Sequence, residues 1–380
     1  MPIYLDNAAT SHPKPAGVLE AVTLALTEDN ANPGRSGHAA ALRAARRVLR
    51  TREAVAALLN AESPLNVAFA FNCTDALNLA IKGALRRGDH VIASQLEHNS
   101  VLRVVAALAR RGRIELTLLP PRPDGFIDPD DVRAAIRPNT ALVICTHASN
   151  VTGAIQPVAA IARVARAAGA QFLIDGAQAL GGLPVDVQAL GCDLYAFPGH
   201  KSLLGPQGTG GLYIRPGLAL NPLREGGTGT DSDRLEQPAE PPERYEAGTV
   251  NLPGLAGLGA GVDFVAPRIS QIMGHERELT SALTEGLRRI PGVTVYSPSE
   301  EAARAGIACF NVGDLSSGEA ADRLAAQGIA VRGGLHCAPG AHRFLGTLQR
   351  GAVRASVGHA NTLDEIDALL AAVRALAQSG

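Results

Sequence analysis

The feature that most constrains this chain is an alternation. Short apolar runs, "NVAFAF", "HVIAS", "ALVICTH" and "QFLID", are separated by amphipathic stretches such as "DALNLAIKGAL", "SVLRVVAALARR" and "VAAIARVARAAG". Runs of that length bounded by helix-period segments read as strands buried on both faces, and the rhythm predicts a parallel α/β sheet under covering helices. Near residue 262 the rhythm changes. A long helical stretch leads to strand-like "GVTVYS" and "GIACFNV", helix-like "GEAADRLAAQG" and a last helix from about Thr362, which predicts a smaller α+β domain. A chain of 380 residues exceeds what one hydrophobic core usually serves. The expected division is 15–262 for a large domain, with 1–14 and 263–380 forming the smaller one.

Charge removes several classes of partner. With 35 basic and 36 acidic residues the formal net charge is −1, which gives no whole-protein case for nucleic acid or an anionic membrane. One basic stripe, Arg43, Arg46, Arg47 and Arg50, has helical spacing and reads as a solvated helix face. No run has the length of a membrane span, and "MPIYLDNAAT" lacks the regions of a signal peptide. The five cysteines are odd in number, scattered and without a C-x-x-C pair, so no disulfide framework or zinc knuckle is expected and a reducing cytoplasm fits. The segment "EQPAEPPERYEAG", 236 to 248, has the composition of a long exposed loop.

Chemistry concentrates around "LYAFPGHKSLLGPQGTGGLYI". A phosphate-binding P-loop needs its lysine after the glycines, followed by Ser or Thr and a helix. Here Lys201 comes first and a strand follows, so that reading is rejected. Asp175 closes an apolar strand one strand earlier, at the edge where open α/β sheets bind ligands. A carboxylate and a lysine at that edge are the pair that pyridoxal 5'-phosphate requires, the amine for a Schiff base and the carboxylate for the pyridinium nitrogen. From spacing alone, Asp175 is equally a helix N-cap ahead of "GAQAL".

The segment "LIDGAQALGGLPVDVQALGCDLYAFPGHK" resembles the cofactor segment of the class V aminotransferase superfamily, and more narrowly that of cysteine desulfurases and selenocysteine lyases. "YLDNAAT", "NPGRSGH", "CTDALN", "LEHNSV", "SNVTG", "YEAGTVN", "RGGLHC" and "VRASVGHANT" follow the same family order, and "RGGLHC" is similar to the SufS-like branch. The resemblance implies a fold type I pyridoxal-phosphate enzyme acting as a homodimer. It makes Lys201 the Schiff-base lysine, Asp175 the partner of the ring nitrogen, Gln178 a donor to the ring hydroxyl and His98 the ring-stacking residue. Cys73, Thr74 and His200 would lie at the phosphate, with Gly248 and Thr249 reaching the neighbouring subunit's cofactor. Asn150 and Arg354 would hold the substrate carboxylate, and Arg35, His38 and Arg332 would lie near the substrate. Two positions depart from the family pattern: Pro198 stands where serine is usual, and Cys73 replaces the first threonine of a pair. Each removes a hydroxyl from the phosphate cup.

Cys73, Cys145, Cys192 and Cys309 read as buried packing. Cys337 differs, since "RGGLHCAPG" sets it among glycine and proline beside His336 and near Arg332, in surroundings expected to be mobile and to favour a thiolate. Adjacent His and Cys without a second pair make a poor zinc site. The implied activity is removal of sulfur from cysteine, or selenium from selenocysteine, giving alanine and a persulfide on Cys337 that a sulfur-acceptor protein could take. The rivals are another class V reaction (β-elimination, transamination or epimerisation) and a scaffold without turnover.

Overall fold

The computed structural model describes residues 2–34 and 36–378. The apolar runs form one sheet in the order Val67–Ala70, Gly210–Ile214, Leu194–Pro198, Gln171–Asp175, Thr140–Thr146, Asp89–Ser94, Ile114–Leu119. All neighbours are parallel except at Gly210–Ile214, which is antiparallel to both of its partners. The reason is the connection. Residues 199–209 hold no helix, and a parallel return needs a longer crossover. The edge strand Ile114–Leu119 escapes the alternation pattern because it mixes buried Ile114 and Leu119 with exposed Glu115 and Leu118, as an edge permits.

Helices Cys73–Ala84, Asn99–Arg110 and Val158–Ala167 fill the amphipathic stretches. Helix Leu252–Val265 packs between Ala16–Thr27, Ala39–Leu58 and the turn after Lys201. Its glycines permit that approach: a Cβ on Gly261 would lie 2.3 Å from the carbonyl oxygen of Leu203. On Ala39–Leu58 the arginine stripe is only partly solvated. Arg43 and Arg47 close on Asp29 at 2.9 and 2.6 Å, and their hydrogen bonds hold its carboxyl below the usual range.

The second cluster of elements is an antiparallel sheet in the order Arg332–Gly334, Ala352–Ser356, Ile307–Val312, Val293–Val295, packed with helices Ile269–Arg288, Ser317–Ala325 and Leu363–Gln378. Its apolar core takes in Leu5 from the N-terminal segment. Strand Ile3–Tyr4 pairs in parallel with Ile329–Ala330, and the amide of Ala8 donates to Ser356 Oγ at 2.9 Å. The same segment then crosses to the other cluster, where Ser11 N donates to the carbonyl of His200 at 3.1 Å. Residues 215–251 form neither helix nor strand, yet they are anchored where buried Arg52 pairs with Glu246. Among the described residues, no helix is long and apolar enough to cross a membrane.

Candidate active site

Asp175 and Lys201 leave the same edge of the sheet, because Asp175 is the register partner of Ala196 on the adjacent strand. Asp175 does not cap a helix. Its Oδ1 accepts from the amide of Ala177 at 3.0 Å in a tight turn, and from the thiol of Cys73 at 3.5 Å. Among the described residues, Oδ2 makes no hydrogen bond. Lys201 follows strand Leu194–Pro198 in a turn closed by Gly199 N donating to Thr209 O and Leu204 N to Lys201 O, both 2.8 Å. A Cβ on Gly199 would lie 2.1 Å from Thr209 Oγ1, so no larger residue fits before the His200–Lys201 pair. Burial, then the positive charge of Arg354, lowers the Lys201 amine to about 8 against the opposing pull of Asp175 and Cys73. An amine so tuned is still mostly protonated at neutrality, but it releases its proton far more readily than an ordinary lysine.

Beside this pair lies a set of donors suited to a phosphate. Helix Cys73–Ala84 is capped by Asn72, whose side chain accepts from Asp75 N at 3.0 Å, while Asp75 returns an acceptor to Phe71 N at 3.1 Å. The amides of Cys73 and Thr74 form no hydrogen bond among the described residues, and at a helix N-terminus they favour an anion. His200, next to Lys201, has a buried Nδ1 without a partner, and burial with Lys201 and Lys14 nearby lowers its pKa to about 4. Its carbonyl is held by Lys14 Nζ at 2.8 Å and by Ser11 and Thr10.

His98 is the N-cap of helix Asn99–Arg110. Its Nδ1 accepts from Ser100 N at 3.1 Å, so in the neutral ring the proton sits on Nε2. Burial lowers the ring's pKa; Asp175 opposes the shift, and the cations Lys201, Arg332 and Arg354 reinforce it. Gln178 donates to the carbonyl of Ala8 at 3.1 Å.

Arg354 is 2% exposed and held from two sides: Nη2 on Asp6 Oδ1 and Nη1 on the carbonyl of Asn150, both at 2.9 Å. Its Nε is buried without a partner. Arg332 is the register partner of Arg354 on the adjacent strand and shares its field.

The Cys337 segment is tied to its surroundings by hydrogen bonds. His336 and Cys337 both adopt left-handed backbone, with φ of 48° and 58°. Their carbonyls are pinned, that of His336 by Asn150 Nδ2 at 2.6 Å and that of Cys337 by Asn99 N at 2.7 Å. Non-glycine residues persist in that conformation when their surroundings over-determine it. The Cys337 thiol is exposed. His336 does not supply a cation to it, because burial and the charge of Arg354 lower its pKa to about 3 and its Nε2 is committed to the carbonyl of Ala352.

The structure thus gathers Lys201, Asp175, Cys73, Thr74, His98, His200, Gln178, Asn150, Arg332, Arg354 and Cys337 around one sheet edge. His38, Gly248 and Thr249 stand apart: all three are exposed, His38 as the cap of Ala39–Leu58, Gly248 and Thr249 beside Phe69 and Phe71. Arg35 lies outside the described residues. Sequence reasoning missed Asp6, Asn99 and Glu97. The last is buried, ties Thr146 N at 2.7 Å to Ser94 at the end of the neighbouring strand, and is raised by burial to about 8. Asp6 stood inside the motif "YLDNAAT", and Glu97 and Asn99 stood inside "LEHNSV" on either side of His98.

Comparison with known proteins shows which family the chain resembles. The model of the aminotransferase class-V family matches residues 3–369. A probable cysteine desulfurase of Methanothermobacter thermautotrophicus is 38% identical over 97% of this chain and 92% of its own length. A cysteine desulfurase of Serratia proteamaculans is 36% identical over 98% and 92%. Among solved structures, the apo form of a cysteine desulfurase from Thermococcus onnurineus superposes with a TM-score of 0.94 at 33% identity, covering 100% of this chain and 95% of the other. An Escherichia coli cysteine desulfurase in an S-sulfonic acid form gives 0.89 at 32%, covering 99% and 94%.

Proposed function

The chain belongs to the class-V aminotransferase family, and on that premise we propose that it is a pyridoxal 5'-phosphate-dependent cysteine desulfurase of the SufS-like branch. The observation that carries the proposal is the placement of an exposed thiol, Cys337, on a backbone pinned to the residue after His98, at the sheet edge that holds Lys201 and Asp175.

The residues present fit the cofactor. Unclaimed amides at Cys73 and Thr74 and the orphaned Nδ1 of His200 suit its phosphate, the free Oδ2 of Asp175 suits the ring nitrogen, and Lys201 suits the aldehyde. When bound, pyridoxal phosphate supplies an electron sink that makes the substrate Cα–H acidic. Arg354 and Asn150 bind the substrate carboxylate and so orient that bond. Lys201, with its lowered pKa, takes the Cα proton. The Cys337 thiolate attacks the substrate sulfur: a new S–S bond forms, the C–S bond breaks, and its electron pair stays with the substrate β-carbon, which takes a proton. Cysteine plus the enzyme thiol thereby gives alanine plus an enzyme persulfide, available to a sulfur-acceptor protein. Selenocysteine enters the same scheme.

The working unit in this reading is a homodimer in the reducing cytoplasm, built of domains 15–262 and 1–14 with 263–380. Exposed Leu49, Leu65 and Phe71 on the face that carries Gly248 and Thr249 support a second copy there. Reconstitution with pyridoxal phosphate followed by product identification tests the function. Visible absorption and stoichiometric alanine from cysteine support it. Pyruvate with ammonia, a keto acid from transamination or a racemised amino acid would reassign the reaction within the family, and failure to bind cofactor would leave a scaffold.

A further inference from the structure

Cys73 behaves unlike the other buried cysteines. Cys145 and Cys192 reach only nearby backbone carbonyls, at 3.4 and 3.9 Å, whereas the Cys73 thiol donates across 102 residues of sequence to the carboxylate of Asp175. It does so from the first turn of helix Cys73–Ala84, whose position is fixed by the Asn72 cap and by Arg224 gripping Asp75 at 2.6 Å. The side chain at residue 73 is therefore turned from the phosphate cup toward the ring-nitrogen end of the site, leaving its amide for the phosphate.

We infer that Cys73 is a positioning residue for Asp175: its thiol and the amide of Ala177 together saturate Oδ1, so that Oδ2 is the oxygen presented to the cofactor's ring nitrogen. This deepens the pyridoxal-phosphate reading and rests on it. A carboxylate turns easily about its last torsion, and one amide donor leaves it free to share that donor between its oxygens. A second donor on the same oxygen, arriving from a capped helix, removes the freedom. Burial and the neighbouring Asp175 charge raise the thiol's pKa well above its ordinary value, with Lys201 opposing, so the sulfur stays a donor and does not compete with Cys337 as a nucleophile.

The test uses Cys73→Ser, which keeps a donor, and Cys73→Val, which keeps apolar bulk and loses it. The protein without cofactor is read first, by the infrared S–H stretch. The Cys73 band, identified by its loss in Cys73→Ser, is expected to lie at lower frequency than those of the other cysteines and to shift in Asp175→Asn. A band unmoved by Asp175→Asn overturns the inference whether or not the cofactor binds. In the reconstituted protein, Cys73→Val is expected to lose about tenfold in kcat/KM and in cofactor affinity, the scale of one hydrogen bond to a charged group. The pH dependence of its visible absorption is expected to move, and Cys73→Ser is expected to restore both. The reverse order, with valine tolerated and serine damaging, makes residue 73 packing only. Absence of cofactor binding by the wild type would overturn the functional reading while leaving the infrared result to decide the hydrogen bond.

Discussion

The amide of Asn99 donates to the carbonyl of Cys337 at 2.7 Å, joining the start of the helix that His98 caps to the turn that carries the exposed thiol. The neighbouring carbonyl, of His336, is held by the side chain of Asn150 at 2.6 Å. Asn150→Ala removes the second tether, leaving two left-handed residues with one, and also removes one of the two groups assigned to the substrate carboxylate. Sulfur release is expected to fall roughly 5- to 30-fold, the effect of about 1–2 kcal/mol, while cofactor affinity stays near wild type. Steady-state kinetics beside equilibrium dialysis checks it; equal loss in both would mean that Asn150 supports the cofactor rather than the thiol's turn.

Lys201→Ala is expected to abolish turnover and covalent cofactor attachment, since Lys14, the other partly buried lysine nearby, is tied to Ser11 and to the His200 carbonyl at 2.7 and 2.8 Å. Borohydride trapping followed by peptide mapping reads this directly. A label on any other lysine refutes the assignment.

Glu246→Ala is expected to cost roughly 3–5 kcal/mol, because it strands the guanidinium of Arg52, 5% exposed, without its carboxylate. The same carboxylate accepts from Phe69 N at 2.7 Å, so the edge strand loosens too. Urea unfolding gives the number, and a loss below about 1 kcal/mol would show that the 215–251 segment is not anchored there.

Glu276 faces a cavity between the two clusters of elements, and burial raises its carboxyl to about 8 from the usual 4.5. Between those values the folded protein holds a proton that the unfolded chain releases. Stability therefore falls as pH rises through the window, and the penalty is complete above about 8. Glu276→Gln is expected to raise Tm more at about pH 8.5 than at about pH 5. An equal change at both would place the charge in solvent.

The central strands and the order of Asp175 before Lys201 at one sheet edge were legible because each depends on a few consecutive positions. What the sequence concealed is long-range. Asp6 stands 348 residues from the Arg354 it grips, and Cys73 lies 102 from Asp175. No local pattern reveals which polar atom answers which. Strand Ile114–Leu119 was hidden for another reason, since an edge strand need not read as a continuous apolar run.

The most direct measurement of the desulfurase account is mass spectrometry of the Cys337 peptide after the loaded protein has met cysteine, beside alanine yields from wild type and Cys337→Ala. The account predicts one added sulfur on the wild-type peptide, and in the variant a steep loss of alanine with cofactor binding intact. Undiminished alanine from the variant, with no sulfur on the wild-type peptide, would contradict it.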